Sequence, residues 1–135
     1  QSYQHFSCVV PLEFMNAALS ESANPIYELE LLPPVHVAIS LWGDLLRSAH
    51  TVFYLDNDAA RAALCKGCGG TQLGNLLVQN IMESESTLRL KSWYARVPSH
   101  SNIADGPSRL DCTEVIQLGS KEVKVDWNKI LENLL

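Results

Sequence analysis

Apolar and polar positions alternate along this chain in a way that separates strand-like from helix-like segments. Residues 5–10 form a short apolar, β-branched run stopped by Pro11, and predict a strand. Residues 11–25 are a polar connection with room for a helical turn around 12–19, and Asn24-Pro25 signals a turn. Over residues 27–47, Leu31, Val35, Ala38, Trp42 and Leu45 recur at spacings of four, three, four and three, which predicts the main helix. Leu32, Ile39 and Leu46 widen that stripe until the helix is apolar on most sides, as in a helix buried between layers. Pro33 and Pro34 are tolerated only in a first turn, so the regular helix is expected from about Leu32.

The next run, T-V-F-Y-L at 51–55, is continuous and β-rich, which predicts a central strand buried on both faces. It ends in Asp56-Asn57-Asp58, and a short alanine-rich helix over 59–64 is closed by glycines at 67, 69 and 70. Residues 72–83 place Leu73, Leu76, Leu77 and Ile81 on one helical face. Residues 88–97 read as a strand followed by a Pro-Ser-His-Ser-Asn loop, and 105–110 open a short helix. Asp126 is placed to cap a final helix with Trp127, Ile130, Leu131 and Leu134 inside. The order strand, helix, strand, helix, helix, strand, helix is an α/β pattern with at least one right-handed crossover.

Length changes this picture little: 135 residues suit one domain. Charge changes it more. The net charge of −5 argues against gripping nucleic acid by charge alone. Yet residues 1–46 contain no Lys or Arg, whereas 47–111 carry seven basic and six acidic residues. A phosphate-facing surface is therefore expected in the second half, from Arg61, Lys66, Arg89, Lys91, Arg96 and Arg109, unless these simply form a solvated face. No leader is visible and no apolar stretch approaches the roughly 20 residues of a membrane span, so an intracellular protein without membrane contact is expected. Residues 29–46 come nearest, but Pro33, Pro34, His36, Gly43 and Asp44 interrupt them. Of Cys8, Cys65, Cys68 and Cys112, only C-K-G-C at 65–68 is closely spaced; without a second ligand pair, reduced and inert thiols are expected. The chain starts at Gln1 rather than Met, and its first residues read as the middle of a sheet, which suggests processing or a piece of something longer.

Three carboxylates stand where propensity alone does not require them: Glu30 at the entry to an apolar helix, Asp56 at the end of a strand, and Asp105 at a helix start after a loop. Ligand sites in open α/β sheets gather at the carboxyl ends of strands. Clustered carboxylates are held together by hard divalent cations, and two such ions about 4 Å apart support phosphodiester cleavage. Each residue also has a local role open to it. Glu30 can favour a helix dipole, Asp56 or Asp58 can cap the following helix, and Asp105 can cap its own.

Y-E-L-E-L-L at 27–32, V-F-Y-L-D-N-D-A-A-R at 52–61 and R-V-P-S-H-S-N-I-A-D-G-P-S-R at 96–109 occur in one order. Together they resemble the ribonuclease H-like domain attached to retroelement reverse transcriptases. The last string is similar to that family's V-P-x-x-x-N-x-x-A-D-x-x-S-R signature. The resemblance covers residues 6–109 and leaves 111–135 an unassigned tail with a final helix within the single domain 1–135. It implies a mixed five-stranded sheet flanked by helices, two Mg²⁺ ions, and hydrolysis of RNA in RNA–DNA hybrids. Glu30 (with Glu28 as the alternative), Asp56 and Asp105 would be the catalytic metal ligands. His100 falls where the family carries a mobile His that assists proton transfer or product release. Arg61, Lys66, Asn57 and Arg109 are the candidate nucleic-acid contacts, and Asn102 is expected to tie the loop together. Implied partners are the hybrid and a reverse transcriptase domain of the same polyprotein. The family's first carboxylate is an Asp on a strand preceding a hairpin, and residues 6–10 resemble the third strand. The first one or two strands, with that Asp, are thus expected to be missing, and activity to be lost or impaired. The alternative function is a non-catalytic retroelement remnant that binds nucleic acid or packs against a partner domain.

Overall fold

The computed structural model describes residues 2–134, without the side chains of Pro33, Pro34, Val35, Ser99 and Asn133. The T-V-F-Y-L run becomes β2 (His50–Leu55), paired in parallel with β3 (Lys91–Arg96) from His50 opposite Lys91 to Leu55 opposite Arg96. Side chains alternate across a strand. Phe53 and Leu55 therefore point into the core, and Phe53 stacks on Tyr94 with ring centroids 5.6 Å apart. The expectation of burial on both faces fails. Val52 and Tyr54 remain 50% and 63% exposed, because the helices lie on the other face of the strand pair.

Those helices begin with α1 (Leu12–Glu21), longer than the turn expected there. The main helix is real but not continuous. It runs as α2 (Ile26–Leu31), a π-helical segment (Leu32–Val37) and α3 (Ala38–Leu46), with a kink at Trp42. Prolines 33 and 34 have no N–H to donate, so the regular i→i−4 ladder breaks across them. Leu31, Leu32, Ala38 and Ile39 are buried as the apolar stripe requires, and Val37, outside that stripe, is buried too, whereas Leu45 is exposed at the far end; the side chain of Val35 lies outside the described residues. The core is completed by α4 (Asp58–Lys66), α5 (Gln72–Leu88) and the last helix.

The N-terminal run makes much less strand than expected. Only β1 (Gln4–His5) pairs, in parallel, with β4 (Lys121–Glu122), an element the apolar pattern did not reveal. The His5 ring nitrogen Nδ1 lies 2.7 Å from the Ser120 hydroxyl and ties this pair together. Phe6 leaves the strand and packs against Trp42. Beyond β3 come a 3₁₀ turn (Ser99–Ser101), α6 (Asp105–Ser108), α7 (Thr113–Gln117, also unforeseen) and α8 (Trp127–Leu134). Asp126 accepts from the Lys129 amide at 3.3 Å, and Ile130 and Leu134 are buried, as the capping argument requires.

The chain is thus mixed α/β. Its four described strands form two separate parallel pairs, β1–β4 and β2–β3, rather than one five-stranded sheet. Among the described residues no helix is long and apolar enough to cross a membrane.

Candidate metal-binding cleft

The C-terminal end of β2 opens into a cavity of about 830 Å³ lying between β2, the β1 segment and the loop that leads into α6. Glu30, Asp56 and Asp105 all line it, although 26 and 49 residues separate them in sequence. None of the three fills the capping or helix-start role open to it locally. The cap of α4 is Asn57, whose side chain accepts from the Ala60 amide at 2.8 Å, so neither Asp56 nor Asp58 performs that task. Asp105 is the first residue of α6 rather than its cap, and Glu30 sits in the last turn of α2 rather than its first.

Glu30 feels the cluster most. Its carboxyl is pushed up to about 7 from its ordinary 4.5, first by burial, then by the charge of Asp56, a hydrogen bond to the Asp56 carboxylate, and the charge of Asp105. Below about pH 7 Glu30 therefore keeps its proton beside Asp56. Asn102 holds Asp56 from the other side. Its side-chain N–H donates to Asp56 Oδ2 at 3.2 Å, while its Oδ1 accepts from the Ala104 amide at 3.0 Å and its carbonyl accepts from the Asp105 amide at 3.0 Å. The loop-tying role expected of Asn102 is thus present, and it extends to an orienting contact on Asp56 that the spacing did not predict.

Asp105 is drawn the other way, 3.4 Å from the exposed Arg109 guanidinium. Among the described residues no three His, Cys, Asp or Glu side chains stand close enough to hold a metal ion. The oxygen donors and the charge suit a hard cation, but the three carboxylates face one cavity without closing on one point.

The remaining candidates are dispersed. Glu28, the alternative to Glu30, is only 1% exposed and accepts from the Thr71 hydroxyl at 2.9 Å; it secures the start of α5 and does not reach the cleft. Arg61 donates through Nε to the Tyr94 carbonyl at 2.9 Å and braces α4 against β3. Arg96 pairs with Asp58 at 2.8 Å. Lys66 is exposed at the end of α4, and His100 is exposed in the 3₁₀ turn. Cys65 and Cys68 are free and exposed.

No family model matches the chain, and neither a curated protein nor a solved structure is found to match it.

Proposed function

We propose that this chain carries part of a ribonuclease H-like nuclease site that hydrolyses RNA in RNA–DNA hybrids with Mg²⁺. The observation that carries this reading is the meeting of Glu30, Asp56 and Asp105 at one cavity, from three strings that resemble the family in order. In this reading Glu30 and Asp56, with Asp105 once released from Arg109, would hold the cation. A bound Mg²⁺ supplies Lewis acidity and activates water. The chain's own residues do the rest. Asn102 fixes the direction of the Asp56 carboxylate, and Glu30 must give up its proton before it can act as a ligand. The resemblance implies that hydrolysis also needs a further carboxylate, the Asp of the family's first strand. The hybrid would be read by shape, through phosphates and 2′-hydroxyls, without sequence preference.

Titration with Mn²⁺, followed by electron paramagnetic resonance, tests the site directly. Binding is expected to strengthen as pH rises through about 7, where Glu30 deprotonates, and to weaken at least about tenfold in Asp56→Asn. Cleavage of a labelled hybrid is expected only when a strand bearing the further carboxylate is supplied, and is expected to be lost there in Asp56→Asn. A second reading, a non-catalytic module that packs against a partner domain or binds nucleic acid, is favoured by the open ligand set. A chain that neither binds Mn²⁺ nor cleaves hybrid would leave that reading standing.

A further inference from the structure

The uncovered face of the β2–β3 pair has an ordered chemistry along the strands. The positions that point outward are His50, Val52 and Tyr54 on β2 and Lys91, Trp93 and Ala95 on β3. Val52 stands opposite Trp93, and Tyr54 opposite Ala95, so the two aromatic rings occupy diagonal positions on neighbouring strands. Trp93 is 68% exposed. Exposed aromatic side chains on one uncovered sheet face are what stacking surfaces are built from.

Charge separates the candidate partners. In a chain of net charge −5, none of these six outward positions is acidic. Their N-terminal ends are basic: Lys91 and His50 start the strands, and Arg89 and Arg47 precede them, all four exposed. Arg47 makes a long 3.7 Å contact to a fully exposed Asp44, while Arg89 and Lys91 make no ion pair among the described residues. The other cations foreseen for a phosphate-facing surface are largely engaged elsewhere: Arg61 by Tyr94, Arg96 by Asp58 and Arg109 by Asp105. Two exposed rings in line with the cations Arg89 and Lys91 fit a polyanion whose flat groups lie unstacked. A protein partner would need an acidic apolar surface, whereas single-stranded nucleic acid offers bases to the rings and phosphates to the cations at once.

We infer that the outward face of β2–β3 is a stacking platform for single-stranded nucleic acid, with the bases on Trp93 and Tyr54 and the phosphates toward Arg89 and Lys91. This platform adjoins the carboxylate cavity and needs no metal. Tyr54 also lines the carboxylate cavity, so a strand lying on the platform would end beside it.

The test is fluorescence anisotropy of a labelled oligothymidylate of about 12 nucleotides, titrated with the 135-residue chain in EDTA. EDTA removes any contribution from a metal site, so failure here is distinct from failure of the nuclease reading. Binding is expected, with quenching of tryptophan emission that Trp93→Ala removes. Trp93→Ala and Tyr54→Ala should each weaken it roughly five- to hundredfold. The double variant Arg89→Ala, Lys91→Ala should flatten the slope of log affinity against log salt by about 1.4. All four side chains are exposed, so thermal midpoints should stay unchanged and separate loss of binding from loss of fold. The inference is overturned if the oligonucleotide does not bind, if the aromatic variants bind as well as the parent, or if a duplex of equal length competes as effectively. It is equally overturned if sedimentation shows self-association that Trp93→Ala abolishes, which would assign the face to a second copy of the chain.

Discussion

Glu28 and Glu30 lie two residues apart on α2 and meet opposite surroundings. Side chains at i and i+2 of a helix point to different sides. Glu28 is buried against Thr71 at the start of α5, and Glu30 turns to Asp56 at the end of β2. Opposite stability effects follow. Glu28→Ala leaves the Thr71 hydroxyl without its acceptor and opens a void, and should cost about 1–3 kcal/mol in urea denaturation at pH 8. Glu30→Gln removes a carboxylate from beside Asp56 while keeping its size, and should stabilise the fold by about 1–3 kcal/mol at pH 8 and by little at pH 4. The Y-E-L-E-L-L string offered both glutamates as ligands. It could not choose between them, because the choice depends on which neighbour each helix side meets.

At the scale of the element, the Asp56-Asn57-Asp58 segment shows how a local signal conceals its division of labour. All three side chains favour a helix N-terminus. The middle one takes the capping bond, which leaves Asp56 for the cleft and Asp58 for Arg96. Asn57→Ala should therefore destabilise the fold by about 1 kcal/mol, read from the urea midpoint, whereas Asp58→Ala should change it by less than about half that. The same scale explains the weakest strand prediction. Residues 5–10 have strand composition, but a strand needs a partner, and β4 offers only two residues to pair with. Conversely, β4 and α7 are too short and too polar to leave a periodic trace in the sequence.

For the whole molecule, two part-buried titrating groups pull against each other. Burial lowers His36 to about 4 from 6.5, so it sits neutral in the fold. The unfolded chain binds more protons at this residue between those values, and its share of stability is lost as pH falls from 6.5 toward 4. Glu30 behaves in the opposite sense. The folded chain binds the extra proton, so its share is present below 4.5 and lost as pH rises toward 7. The parent chain should therefore show a stability profile nearly flat between pH 4.5 and 6.5, where both act. Glu30→Gln should leave stability rising with pH across that window, and His36→Leu should leave it falling. Urea midpoints taken at intervals of pH measure both slopes, and parallel profiles in all three proteins would contradict the assignment.

By itself the sequence determined the kinds of element and most of their places: the T-V-F-Y-L strand, the alanine-rich helix closed by Gly67, the long helix after Thr71 and the capped final helix. These depend on periodicity, capping and turn chemistry, which act over a few residues and leave their mark in order. It also marked Glu30, Asp56 and Asp105 as carboxylates out of keeping with their surroundings. Only the tertiary structure decided that these three share a cavity, that Glu28 does not, and that Arg61 and Arg96 are spent on the fold. It alone also decided that one face of β2–β3 stays open, with Tyr54 and Trp93 on it. Which face of a strand is covered depends on where distant helices pack, and no local pattern of apolar residues records that.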